Sequence, residues 1–142
     1  MRRLHVEARS HTTAPPEVLW QLLADADGYS AWGPWSESRY ETEGGACVGA
    51  VRRLRTGRRT LIERIEELDP SRRMVYTVMK GIPVRNYRAE IILTPTGEGT
   101  DIRWFADWDR TLGGRLAHRG LSAAYPRIVQ DLVTAGETPL AQ

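Results

Sequence analysis

Residues 87–108 read YRAEIILTPTGEGTDIRWFADW, and this stretch decides the fold class. It contains two runs of alternating apolar and polar side chains, separated by a turn-rich segment from Pro95 to Gly99. Alternation with a period of two is typical of a strand with one buried face, and a short turn between two such strands predicts an antiparallel pair. The inward faces are predicted to be Tyr87, Ala89, Ile91 and Leu93, and then Ile102, Trp104, Ala106 and Trp108.

The same alternation continues upstream of this pair. It predicts a first strand over residues 4–10 and further strands near 36–43, 48–55, 60–68 and 74–80, with short turns between the later ones. A series of strands joined in this way predicts an antiparallel meander. In the last two of these strands the apolar faces, which we expect to point inward, are Leu61, Glu63 and Ile65, and Met74, Tyr76 and Val78.

Helical periodicity appears at both ends of this series of strands. A helix is predicted from Pro15 to about Asp25, and Tyr29 to Trp35 is predicted to be a short helix or turn. A long helix follows Gly113-Gly114, and its predicted apolar stripe is Ala117, Leu121, Ala124, Ile128 and Leu132. Pro126 must kink this helix or start a new segment near Tyr125, and residues 136–142 are predicted to be a frayed tail.

These elements predict one α+β domain over residues 1–142. A curved seven-stranded antiparallel sheet cannot bury its concave face against itself, so the long C-terminal helix should lie across it. Two short helices would lie between strands 1 and 2. Such an arrangement commonly leaves a space between the sheet and the helix, and we expect a cavity there.

Composition narrows the class of protein. The 142 residues carry 20 Lys and Arg against 18 Asp and Glu, and basic and acidic residues alternate in the middle of the chain, which argues against a nucleic-acid site. Cys47 is the only cysteine and the three histidines are scattered, so no metal or other cofactor is expected. Without a long apolar run we expect no membrane insertion and a cytoplasmic location, as a monomer or homodimer.

Several motifs resemble one superfamily, the START-type polyketide cyclase/dehydrase superfamily (SRPBCC). The resemblance rests on the segment from Thr12 to Trp20, on Tyr29 and Trp32, on residues 63–76, and on the run from Thr94 to Trp104. It covers nearly the whole chain and implies the helix-grip fold. The same scaffold carries lipids and hormones or cyclises polyketides, so the resemblance is specific for the fold and not for the function.

Glu63 is the main candidate for a catalytic group. A carboxylate that faces a partly apolar cavity has either a raised pKa or a cationic partner, which we expect to be Arg53 or Arg55 on the neighbouring strand. The alternative interpretation of the same pair is an ion pair that only closes one end of the cavity. Tyr76 and Tyr87 each offer a hydroxyl that can hold a carbonyl or a phenol, or they belong to the core.

The remaining candidates are expected to contact a ligand without taking part in a reaction. Trp35 is the predicted gate beside Gly33-Pro34. Trp104 and Trp108 are predicted to stack along one side of the cavity, or they belong to the core. His118, near the apolar stripe of the last helix, can reach the entrance or remain on the surface. The predicted ligand-binding set is Trp35, Arg55, Val78, Ile91, Trp104, Trp108, His118 and Leu121.

Two functions remain open at this point. The resemblance implies a small-molecule enzyme of the metal-free cyclase/dehydratase type, lyase-like or isomerase-like, in which Glu63, Tyr76, Tyr87 and Arg53 act on a hydrophobic or polyketide-like molecule. The alternative is a carrier or sensor that holds a lipid or hydrophobic metabolite in the same cavity without reaction. A third class, an interaction module built on the basic helix from Arg110 to Arg127, requires a contiguous exposed apolar or arginine patch.

Overall fold

The computed structural model describes residues 3–138. Its strands are β1 (Arg3–Thr12), β2 (Glu37–Tyr40), β3 (Val51–Thr56), β4 (Arg59–Asp69), β5 (Arg73–Lys80), β6 (Arg88–Thr96) and β7 (Gly99–Asp109). The helices are α1 (Pro16–Ala24), a 3-10 turn (Ala26–Gly28), α2 (Tyr29–Trp32) and α3 (Leu112–Glu137). The predicted order of elements is therefore confirmed, although β2 is shorter than expected.

The strands form one antiparallel sheet in the order β1-β7-β6-β5-β4-β3-β2. The chain moves from β1 to the far edge through α1 and α2, and then returns strand by strand until β7 pairs with β1. The sheet is curved, and the α+β class with a long C-terminal helix is confirmed. The core joins inner-face residues of the sheet to one side of α3, including Tyr125, Val129 and Leu132.

Alternation gives the inner face correctly along three strands. In β6 and β7 the side chains of Ala89, Ile91, Ile102 and Trp104 are buried in the core. In β5, Met74 and Tyr76 are buried as well. These side chains share one face because successive residues of a strand point to opposite sides.

Two register shifts in β4 interrupt the strict alternation. Ile65 pairs with Tyr76, but Glu67 pairs with Val75, so Glu66 is an extra residue on β4. The bulge reverses the inward and outward order for the end of the strand, and Leu68 joins the core as a result. A second shift, between Ile62 and Glu63, leaves Met79 of β5 without a paired residue.

The last helix differs from the prediction in two respects. It runs as one element through Pro126 to Glu137, so no new segment starts near Tyr125 and the helix includes the first two residues of the predicted tail. Residues 139–142 of that tail lie outside the described part of the chain. The most buried side chains of α3 are Tyr125, Val129, Leu132 and Val133. Three of these four residues come directly after a residue of the predicted apolar stripe.

Candidate functional site

A pocket of about 380 Å³ lies between the inner face of the sheet and α3. Leu54, Leu61 and Val78 line it from the strands, and Leu121 and Ile128 line it from the helix. The predicted stripe of α3 is thus partly a pocket wall, which explains why Leu121 and Ile128 are only half-buried. This volume is within the range of sites for small molecules, which are mostly apolar with a few polar groups.

The main polar group of the pocket is an ion pair between Arg52 of β3 and Glu63 of β4. Arg52 Nε donates to Glu63 Oε1 over 2.9 Å, and the two residues are directly opposite each other in the strand register. Both are buried, with 1% and 5% of their surfaces exposed. Such a pair persists only when further contacts satisfy its remaining polar atoms, because removing two charges from water costs several kcal/mol.

The guanidinium of Arg52 makes several of these further contacts. Its Nη1 donates to the hydroxyl of Tyr29 over 2.9 Å and contacts Met74 Sδ at 3.4 Å. Its Cζ lies 4.4 Å from the centre of the Tyr76 ring, a distance at which a cation and an aromatic face attract each other. These contacts hold the guanidinium in one orientation against the pocket wall.

One atom of each charged group remains without a protein partner. Within residues 3–138, Arg52 Nη2 and Glu63 Oε2 make no hydrogen bond. The only fully enclosed polar side-chain atoms without a partner in that range are Trp32 Nε1 and Arg103 Nε. Since Arg52 and Glu63 both line the pocket, their two free atoms are a donor and an acceptor in contact with its space.

Burial changes the pKa of the Glu63 carboxyl group. Loss of water raises the pKa of the Glu63 carboxyl above its ordinary value, and the charge and hydrogen bond of Arg52 offset only part of the increase. A carboxyl group with a raised pKa is a stronger base than an exposed glutamate. The pair therefore combines a cation with a carboxylate suited to proton transfer.

Three tyrosine hydroxyls form a second polar group in the pocket wall. Trp104 Nε1 donates to the hydroxyl of Tyr76 over 3.0 Å, and the hydroxyls of Tyr87 and Tyr125 are hydrogen-bonded to each other. Burial raises the pKa of Tyr76, Tyr87 and Tyr125, so each hydroxyl stays neutral. Neutral tyrosines can donate and accept hydrogen bonds, but they do not act as bases here.

The side of the pocket near α2 is built from aromatic rings. The rings of Trp35 and Tyr29 lie 5.2 Å apart, and both residues line the pocket. A Cβ atom at Gly33 would lie 2.1 Å from the Trp35 ring, so only glycine permits this close approach. The chain after α2 thereby holds Trp35 against the pocket, where the sequence places a gate residue.

The sequence-based candidates divide into two groups. Those that line the pocket are Trp35, Glu63, Tyr76, Val78, Tyr87, Trp104 and Leu121. Ile91 and Trp108 lie in the core instead, and Trp108 Nε1 donates to the Gly114 carbonyl over 2.9 Å. His118 interacts with the His5 carbonyl at 3.1 Å and is not part of the pocket lining.

The prediction that Arg53 or Arg55 is the cationic partner of Glu63 is wrong, because the partner is Arg52. Arg53 and Arg55 have the opposite parity from Arg52 in β3 and therefore lie on the other face of the sheet. Arg53 borders a surface groove with Glu37 and Arg39, and Arg55 Nε donates to the Gly57 carbonyl over 3.0 Å. Neither residue lines the pocket.

Arg52, Tyr29 and Tyr125 are the functional candidates that sequence reasoning missed. A two-residue turn at Gly57-Arg58 makes Thr56 pair with Arg59, and counting back from that pair places Arg52 opposite Glu63. The signal for Arg52 was therefore present in the turn. Tyr125 is four residues after Leu121 and four before Val129, but the expected break at Pro126 obscured that spacing.

Within residues 3–138, no group of three or more His, Cys, Asp or Glu side chains is arranged to hold a metal ion. None of the described helices combines the length with the apolar composition that a membrane-spanning helix requires.

Comparison with known proteins identifies a family and a shared fold. The family model described as "Polyketide cyclase / dehydrase and lipid transport" matches residues 3–137. No curated protein sequence matches the chain.

Among solved structures, XoxI of Bacillus cereus is 25% identical with a TM-score of 0.74, and the match covers 95% of each chain. An uncharacterized protein of Bacillus thuringiensis is 24% identical with a TM-score of 0.78, covering 95% of this chain and 100% of that one. The Zhui aromatase/cyclase of a Streptomyces species is 22% identical with a TM-score of 0.72, covering 95% and 92%. At these identities the second and third likenesses concern the fold.

Proposed function

Because the chain belongs to the polyketide cyclase/dehydrase and lipid transport family, as its motifs predicted, we propose that its pocket binds a small, mainly apolar molecule bearing carbonyl groups and acts on it as a cofactor-independent cyclase or dehydratase. The observation that carries this proposal is the buried Arg52–Glu63 pair with one free donor and one free acceptor. A site for a wholly apolar ligand would not need this pair, because apolar residues of similar volume often stabilise a protein at least as well as a buried ion pair.

The reaction would begin with proton transfer. Glu63 Oε2 would take a proton from a carbon next to a carbonyl, and Arg52 Nη2 would donate a hydrogen bond to that carbonyl oxygen as it becomes an enolate. The enolate carbon would attack a second carbonyl of the same molecule, which closes a ring and leaves an alkoxide. Glu63 would return its proton to the alkoxide, so no oxidant, reductant or external base is needed.

Dehydration would use the same two groups. Glu63 would remove a second proton from the carbon next to the remaining carbonyl, and the ring hydroxyl would leave as water after receiving that proton. The Tyr76 hydroxyl, which accepts from Trp104, can donate its own proton to a substrate oxygen and orient the ring. One neighbour of the same fold is an aromatase/cyclase, which supports this reaction class.

A carrier is the second candidate, and one observation favours it. The hydroxyls of Tyr87 and Tyr125 bond to each other, and Glu63 already has a cationic partner, so most polar atoms of the pocket are satisfied before a ligand enters. Such a lining can hold a lipid or hydrophobic metabolite through its apolar surface alone. In that case the Arg52–Glu63 pair would only orient the ligand oxygen.

The test starts from the purified protein. Native mass spectrometry and extraction would identify any small molecule that copurifies, and the protein would then be incubated with a poly-β-ketone mimic. Glu63→Gln preserves shape and removes the base, so we expect a 100-fold or greater loss of cyclised product. Glu90→Gln, on the opposite face of the sheet, is the matched control and should leave product formation unchanged.

The outcomes separate the two candidates. Product formation that is lost in Glu63→Gln and kept in Glu90→Gln supports the enzyme. A ligand recovered unchanged at a defined stoichiometry, with no turnover by the unmodified protein, supports the carrier. A protein that binds neither a copurifying molecule nor the mimic would overturn both.

A further inference from the structure

Charge is strongly segregated around the opening of the pocket. Residues 56–61, 79–86 and 110–127 each contribute to the pocket lining, and together they contain eight Lys and Arg residues and no Asp or Glu. The rest of the chain then carries twelve basic against eighteen acidic residues. The small net charge of +2 is therefore the sum of a strongly basic set of three segments and an acidic rest of the chain.

The three segments form one continuous surface, which we call the mouth surface. Arg59 Nη1 donates to the Gly81 carbonyl over 3.5 Å, which joins the first segment to the second. A Cβ atom at Gly113 would lie 2.6 Å from the Pro83 carbonyl oxygen, so the start of α3 is in contact with the second segment. The three segments that carry the basic residues are thus joined to one another in space.

These cations are available to a partner. All eight are exposed, and none forms a salt bridge with any residue of the described range. Elsewhere on the protein, Arg73, Arg88 and Arg103 are each paired with a carboxylate. Arg53 and Arg72 are also unpaired within the described residues, but only on the mouth surface is every basic residue unpaired and no acidic residue present.

Large apolar side chains project from the same surface. Leu112 and Leu116 at the start of α3 are 74% and 71% exposed, and Met79, unpaired at the bulge of β5, is 54% exposed. Leu112, Leu116 and Gly120 follow each other at intervals of four, so they share one side of the helix. Gly120 lines the pocket, so this row of exposed side chains leads to its opening.

We propose that the mouth surface docks the protein on an anionic lipid bilayer, with the pocket opening towards the membrane. Each Lys or Arg near an anionic bilayer raises the partition coefficient about fivefold, and aliphatic side chains such as Leu112 and Leu116 can enter the boundary between headgroups and acyl chains. An acidic protein is less well matched, because protein interfaces favour aromatic anchors and the one aromatic residue of the three segments, Tyr125, is buried. This proposal is independent of whether the pocket performs a reaction.

The experiment is cosedimentation of the full chain with phosphatidylcholine vesicles that contain either no anionic lipid or 30% phosphatidylserine. We expect binding only to the anionic vesicles, with a partition coefficient that falls as salt increases. Arg115→Gln/Arg119→Gln should lower that coefficient by roughly tenfold or more. Arg53→Gln/Arg72→Gln removes the same charge from unpaired arginines away from the mouth surface and should change it little.

A second pair of variants distinguishes a bilayer from a purely electrostatic partner. Leu112→Ser/Leu116→Ser keeps every charge and should weaken vesicle binding severalfold, whereas Val48→Ser, at an exposed residue outside the mouth surface, should not. Equal losses in both arginine double variants would overturn the proposal, as would absence of binding at low salt. Full binding by the leucine variant would also overturn it, in favour of an acidic protein partner.

Discussion

The two faces of the sheet use the same residue types in opposite ways. On the inner face, Arg52 and Glu63 form a single pair that is shielded from water and borders the pocket. On the outer face, Arg73 and Arg88 each bond to both Glu67 and Glu90 in a partly hydrated cluster. The contrast separates ion pairs that share their charges with water from one that is enclosed beside a pocket.

The pKa values of the carboxyl groups are shifted in opposite directions on the two faces of the sheet. Burial raises the pKa of Glu63 despite its cationic partner. Hydrogen bonds from Arg73 and Arg88 lower the pKa of Glu67. Burial is the largest single effect on Glu90 and raises its pKa, but the hydrogen bonds and charges of the same two arginines together outweigh it, so the pKa of Glu90 is lowered as well. Hydration and the number of cationic partners therefore decide the direction of each shift, while the residue types are the same.

The largest expected effect is the loss of Arg52. Arg52→Met leaves the Glu63 carboxylate buried without its partner, so the free energy of unfolding in urea should fall by about 3–5 kcal/mol at pH 7. Arg88→Met on the outer face should cost less than about 1 kcal/mol, because water and Arg73 still solvate both carboxylates.

A double variant checks the reason for that difference. Arg52→Met/Glu63→Leu replaces the whole pair with apolar side chains and should recover most of the lost stability. If the double variant is less stable than Arg52→Met, the penalty does not come from an unpaired buried carboxylate, and the contrast between the two faces fails.

The next effect concerns the tyrosine hydroxyls of the inner face. Tyr76→Phe removes the acceptor of Trp104 Nε1, and an unpaired buried donor should cost about 1–2 kcal/mol of unfolding free energy. Urea unfolding followed by tryptophan fluorescence measures this loss. Unchanged stability would mean that a water molecule in the pocket replaces the hydroxyl as the acceptor of Trp104 Nε1, so that this donor is not shielded from water.

A smaller effect on the outer face depends on pH. Hydrogen bonds from Arg103, opposed by burial but reinforced by Arg9 and His5, lower the pKa of Glu7 from 4.5 to about 2. Because the folded-state pKa is depressed, this stability is present above pH 4.5 and is lost as the pH falls towards 2. Glu7→Gln should therefore lower the free energy of unfolding by about 1 kcal/mol at pH 7 and by almost nothing near pH 2. A constant difference across that range would contradict the assignment.

The smallest effect is the response to salt. At 1 M salt the screening length is about 3 Å, so the stability difference between the unmodified protein and Arg88→Gln should shrink by a few tenths of a kcal/mol. The penalty of Arg52→Met should be insensitive to the same change, because the buried pair is not reached by ions. Equal salt responses at both sites would remove the distinction between the faces.

The sequence predicted the sheet well because alternation and turns are local signals. The runs that became β5, β6 and β7 each had one apolar parity, so the inner face could be assigned without knowing their partners. In β3 both parities contain arginine, and the choice between Arg52 and Arg53 depends on the register with β4. Alternation alone could not make that choice.

Other errors arose where tertiary packing decides the environment. Alternation places Val75 on the outer face of β5 with Glu67 and Glu90, which would suggest a solvated side chain, yet Val75 is fully buried. The bulge at Glu66 reverses the facing of the end of β4, and no local pattern marks it. Likewise, Trp108 and Leu121 both look like pocket residues in sequence, but Trp108 is fully buried against the start of α3, whereas Leu121 lines the pocket.

The most direct test of the central claim is a ¹³C NMR titration of the glutamate carboxyl carbons in the unmodified protein, with Glu63→Gln and Glu7→Gln used to assign the two signals. We expect Glu63 to titrate above the ordinary pKa of 4.5 and Glu7 to titrate well below it. Titration of Glu63 at or below 4.5 would mean that the inner pair behaves like the ion pairs of the outer face, and the distinction between the two faces would fail.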